Sequence, residues 1–158
     1  MNKSLLALAA LCAASALMPA QAQIAPSAAS AAAAGGAPAD DTLFRALGGQ
    51  AGIARIVDDF VPRLVADPRM SEFFKKAKQP HLKLMLEQQF CVVSGGGCAY
   101  DGQTMAQAHK DMDIAKGDFN ALVEVLQDSM DAQDVPFTVQ NRLLARLAPM
   151  HRDVVHLQ

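Results

Sequence analysis

The stretch "GGGCAYDGQTMAQAHKDMDI", residues 95–114, decides the fold. It opens on three glycines, passes Cys98 and Tyr100, and reaches one imidazole, His109, in a segment too short and too broken for an ordinary helix. On either side the apolar spacing is helical. Ile53, Ile56, Val57, Phe60, Val61 and Leu64 recur at three and four, as do Leu82, Leu86, Gln89 with Phe90, and Val93. Phe119, Leu122, Val123, Leu126 and Met130 repeat the pattern, and a last helix is predicted from Pro136 through Val139, Leu143, Leu147, Met150 and Val154. Strand alternation is absent, so the predicted class is all-α. Pro62 and Pro149 fall inside these patterns and are expected to kink their helices, because each removes a backbone donor and crowds the preceding turn.

Breaks fall at Gly48-Gly49, before Arg69, at the triple glycine and near residue 134. Gly95 to Asp113 is the long connection without strong periodicity, and such segments in small domains are mostly functional. His109 lies within it.

The ends of the chain read differently. Met1, Asn2 and Lys3 precede an apolar run from Leu5 to about Met18, and Ala20 and Ala22 frame a small-x-small cleavage site. Residues 1–22 are therefore expected to be a signal peptide and the protein exported to a periplasm. The run is shorter than the roughly 20 residues of a spanning helix, so no membrane anchor is expected after cleavage. Residues 23–41 are Ala, Ser, Pro and Gly with hardly a core-forming side chain, which reads as a flexible linker. One domain of 117 residues remains, Thr42 to Gln158. Without Lys3, 13 basic residues face 16 acidic ones and the bases are not gathered along one segment, so nucleic acid is excluded as a partner. Cleavage also removes Cys12. Cys91 and Cys98 are left, with glycines between them that let the chain fold back, and a disulfide is expected, two buried free thiols being the alternative.

The plain reading of His109 is a surface or hydrogen-bonded core histidine. A catalytic triad lacks a recognisable nucleophile signature. A zinc site would need about four ligands, and His81, His151 and His156 show no ligand spacing. One imidazole still holds one metal when a porphyrin supplies the equatorial ligands.

From Thr42 to about Leu157 the chain resembles a group I truncated haemoglobin. The resemblance is carried by "TLFRALGGQAGIARIVDDFV", "LVADPRMSEFF", "YDGQTMAQAHKDMDI", "DFNALVEVL" and "QNRLLARLAPMHRDVV". It implies a two-over-two helical sandwich around haem b, with His109 as the iron ligand. It also places Phe74 on the porphyrin face and Met105, Ile114 and Phe119 on the proximal walls. Tyr100 would stand at the haem edge near a propionate, with Lys78 or His81 supplying charge there. Lys75, Lys76 and Lys78 are otherwise a solvated cluster.

The departures carry as much. Where many members of that family have a tyrosine and a glutamine that donate to iron-bound oxygen, this chain has Val61 and Leu86, and Leu82 matches the position usually called distal. Leu82, Leu86, Gln89 and Val93 share one helix face with Met85 at its margin. Gln89 is expected to be the distal donor, and Met85 carries a thioether able to ligate iron. The expected function is reversible binding of O2, NO or CO, with NO detoxification if a reductase reaches the iron, in a monomer or weak dimer. The alternative is an electron-transfer or redox-sensing haem protein with Met85, or less readily His81, as second axial ligand. A haem-free helical interaction module is the third reading.

Overall fold

The helices expected from the apolar spacing form within residues 40–156, the part of the chain that the computed structural model describes. The expected signal peptide and nearly all of the expected linker lie outside the described residues. The elements are α1 (Thr42–Ala46), α2 (Gly49–Ala66), α3 (Ser71–Phe74), α4 (Gln79–Ser94), α5 (Met105–Ala108), α6 (Lys116–Ala132), α7 (Phe137–Leu147) and α8 (His151–Val154), with one 3-10 turn at Ala148–Met150. No strand occurs among the described residues. The fold is all-α.

Four long helices set the frame: α2 packs on α4 and on α6, and α7 packs on the same two. Each thus has two neighbours, which is the two-over-two arrangement. The core is centred on α2, where Ile53, Ile56, Val57, Phe60, Val61 and Leu64 are each 0–1% exposed. Phe90, Val125, Leu126, Met130 and Leu143 meet them from α4, α6 and α7. Fully burying a side chain of this size stabilises by about 1.5–3 kcal/mol, so α2 contributes a large share of what holds the sandwich together. Its start is fixed by a close approach. A Cβ on Gly52 would lie 1.9 Å from the Leu47 carbonyl oxygen at the end of α1, so only glycine lets the two helices meet there.

The two prolines act differently. α2 runs as one helix through Pro62, whose neighbours Phe60, Val61 and Leu64 are locked in the core. At Pro149 the helix expected to reach Val154 gives way to the 3-10 turn before α8 starts. Pro149 has no N–H for the Ala145 carbonyl, and no comparable run of buried side chains holds that turn in line. Cys91 and Cys98 are joined by a disulfide with their Cα atoms 5.9 Å apart. No helix of the described residues is long and apolar enough to cross a membrane.

Candidate functional site

His109 is delivered by a single turn of helix. Thr104 and Gln107 cap α5 reciprocally: the Gln107 N–H donates to Thr104 Oγ1 at 3.3 Å and the Thr104 N–H donates to Gln107 Oε1 at 3.2 Å. His109 closes the turn, its N–H donating to the Met105 carbonyl at 3.1 Å. Its ring Nδ1 lies 2.8 Å from the same oxygen. A carbonyl only accepts, so Nδ1 carries the proton and Nε2 keeps its lone pair. Asp111 and Asp113 then take left-handed backbone angles, φ 60° and 49°, a conformation aspartate tolerates through its short polar side chain. The chain turns there towards Ile114, whose carbonyl accepts from the His156 N–H at 3.0 Å.

His109 lines a cavity of about 1070 Å3. Leu82, Met85, Leu86 and Gln89 reach it from α4, and Phe74 from α3. Met105, Ile114, Phe119, Tyr100, Lys78 and His81 are also in the lining. The structure thus gathers every site residue expected from the sequence, with one correction. Val61 is fully buried but does not line the cavity; Phe60 and Leu64 of α2 do. The reason is size and direction: Phe60 and Leu64 are four apart on one stripe, whereas the short side chain of Val61 is spent in the core. Sequence reasoning also passed over Phe73, Phe90, Met112, Leu144 and Met150 in the lining. Phe90 lies one turn beyond Leu86 and Met150 three residues beyond Leu147, spacings that signal them; Met112 carries no such signal, because irregular backbone presents it.

The polar groups of the cavity are mostly spoken for. Tyr100 donates its hydroxyl proton to the Gln103 carbonyl at 3.0 Å. Burial pushes its pKa up and the Asp101 carboxylate adds to this, so the phenol stays protonated. Asp118 Oδ2 accepts from the Ala115 N–H at 2.9 Å. Gln89, the expected distal donor, also has its amide engaged. Its Nε2 is turned to two thioethers, Met105 Sδ at 3.1 Å and Met150 Sδ at 3.4 Å. The parts of α2, α3 and α4 that line the cavity are otherwise apolar, apart from Lys78 and His81 at the solvent-exposed start of α4.

No group of three or more His, Cys, Asp or Glu that could hold a metal ion occurs among the described residues. One imidazole nitrogen facing large apolar walls suits a metal that brings its own planar ring of ligands. The site fits haem.

The sequence profile of the bacterial-like globins matches residues 42–156. The chain belongs to the bacterial-like globin family. A group 1 truncated haemoglobin of Synechocystis is 34% identical over 125 residues, which covers 73% of this chain and 98% of that protein. One from Tetrahymena thermophila is 35% identical over 85 residues, 54% of this chain and 70% of the relative. Among solved structures, the truncated haemoglobin of Tetrahymena pyriformis in its Fe(III) form superposes with a TM-score of 0.69 at 26% identity, over 72% of this chain and 97% of that one. This globin is accordingly a truncated one, and the family's haem cofactor and small gaseous ligand belong to it.

Proposed function

We propose that this globin takes haem b, which His109 Nε2 would hold, and binds a diatomic gas there, with oxygen retained weakly relative to CO or NO. The observation that carries the reading is His109 itself, its Nδ1 proton tied to Met105 and its Nε2 left for a metal at the wall of an apolar cavity. Haem, when bound, supplies an iron with one position for the gas. The chain's own residues do the rest. Phe74 would pack its ring on the macrocycle, Leu82 and Leu86 would exclude water, and Lys78 and His81 would offer charge to the propionates, all five lining the cavity. Bound oxygen draws negative charge, and a hydrogen bond to it is worth about 1–3 kcal/mol. With Gln89 engaged by sulfur and leucines at the distal positions, that stabilisation is missing. CO and NO depend on it less. Nitric oxide removal by a reductase-supported reaction fits the same site, and the apolar N-terminal run with its small-x-small motif supports export to a periplasm.

Spectra of the ferric, ferrous and CO-bound protein test the reading, together with oxygen and CO release rates. Slow oxygen release, comparable with a hydrogen-bonded site, would sink the weak-retention claim. The electron-transfer reading rests on Met85, a residue of the cavity lining. Its sulfur packs on the 100–104 loop, since a Cβ on Gly102 would lie 2.9 Å from it, which leaves this reading second. A six-coordinate ferrous spectrum lost in Met85→Leu would put it first.

A further inference from the structure

The disulfide joins two parts of the site. Cys91 is 0% exposed in the core, on the same helix as Leu82, Leu86 and Gln89. Cys98 is exposed, at the start of the loop that leads through Tyr100 and Thr104 to α5 and His109. The connection between them is tight. A Cβ on Gly96 would lie 2.5 Å from Cys91 Sγ and 2.5 Å from the Phe44 ring, so the chain passes between sulfur and aromatic only as glycine.

Beyond Cys98 the loop packs Gly102 against Met85 Sδ of α4, but its polar holds on that helix are weak. The Asp101 N–H reaches Gln88 Oε1 at 3.4 Å, a long bond, and Gln89 meets only the weakly accepting sulfur of Met105. Tyr100 bonds within the loop itself, to Gln103. The main packing partner of α5 is α8. His109 is therefore carried on a segment whose covalent tie to α4 is the disulfide and whose polar ties to it are long or weak.

We propose that the Cys91–Cys98 disulfide is a positioning crosslink for the iron-ligating segment, holding the loop 98–104 against α4 so that His109 keeps its place at the cavity. This rests on the haem reading above. An uncrosslinked loop samples more conformations, and each one that carries α5 away costs the histidine its alignment.

The test compares the haem-loaded full chain with its Cys98→Ser variant, a change at an exposed position that leaves the core side of the bond in place. Ferric haem transfer to excess apomyoglobin is followed beside hydrogen exchange by mass spectrometry. The crosslink predicts haem loss faster by about tenfold, well within what closing a short loop is worth. It also predicts faster exchange confined to residues 100–112, with α2 unchanged. Unchanged exchange in that segment overturns the proposal, and so does an equal rise in α2, which would make the bond an ordinary stabiliser of the whole fold. Should Cys98→Ser fail to fold, the folded parent protein is reduced with a water-soluble phosphine, which cleaves the bond to two thiols and takes up oxygen from water, and the same two readings are made. The exchange comparison decides the crosslink and the His109→Gly spectrum decides the haem reading, so the two fail separately.

Discussion

His109 Nδ1 lies 2.8 Å from the carbonyl oxygen of Met105, the residue one helical turn before it. That bond fixes the tautomer and aims the free nitrogen in one step, so the backbone of α5 does for this imidazole what a carboxylate does in many metal sites.

His109→Gly should lose normal haem ligation and regain it with added imidazole, which can occupy the vacated space and offer the same nitrogen. The measurement is the Soret band of ferric protein with and without imidazole. His81→Ala, at an exposed position on α4, should leave that band in place. The reverse pattern would move the ligand to the other wall of the cavity.

Restoring a donor should restore oxygen retention. Leu86→Gln places an amide at a residue that lines the cavity, and one hydrogen bond of about 1–3 kcal/mol slows oxygen release roughly tenfold to a hundredfold. Gln89→Leu should leave release within about threefold of the parent, because its amide is already taken up by Met105 and Met150. Stopped-flow release from the ferrous oxygenated protein gives both numbers. A large effect of Gln89→Leu would show that the amide turns to the ligand once haem is bound.

Tyr100 is the sole tyrosine and the chain has no tryptophan, so absorbance near the phenolate band reports this one group, with Tyr100→Phe as the blank. Burial first, and the nearby Asp101 second, hold its pKa above the ordinary 10.0. The folded state favours the neutral phenol. The stabilisation it contributes is therefore complete below pH 10 and is lost as pH rises through the raised value, when the bond to the Gln103 carbonyl breaks. A phenolate appearing at or below the ordinary value would contradict this placement.

Gly52→Ala inverts the usual preference. Inside a helix alanine is favoured over glycine by about 1 kcal/mol. Here the added carbon would meet the Leu47 carbonyl at 1.9 Å, forcing α1 and α2 apart, and the net cost should exceed about 2 kcal/mol. Urea unfolding of the two proteins checks the sign.

Much of this was written in one dimension. The three-and-four spacing of Ile53 to Leu64, of Leu82 to Val93 and of Phe119 to Met130 specified an all-α fold, because a helix turns a local repeat into a single apolar face whatever lies beyond it. The irregular stretch around His109 stood out for the same reason, by lacking the repeat, and the resemblance then supplied its ligand. Three things needed the tertiary structure. Val61 and Phe60 are neighbours with the same burial, and only the packing of α2 against its partners sends Phe60 to the cavity and Val61 to the core. Gln89 shares a helix face with Leu82 and Leu86, yet its amide meets sulfurs from Met105 and from Met150, residues far away in sequence. The helix predicted to continue to Val154 breaks at Pro149 while α2 passes through Pro62, a choice made by the buried side chains around each proline. Periodicity reports which side of an element is apolar; which partner that side meets depends on contacts between distant parts of the chain, and these form only when the helices pack.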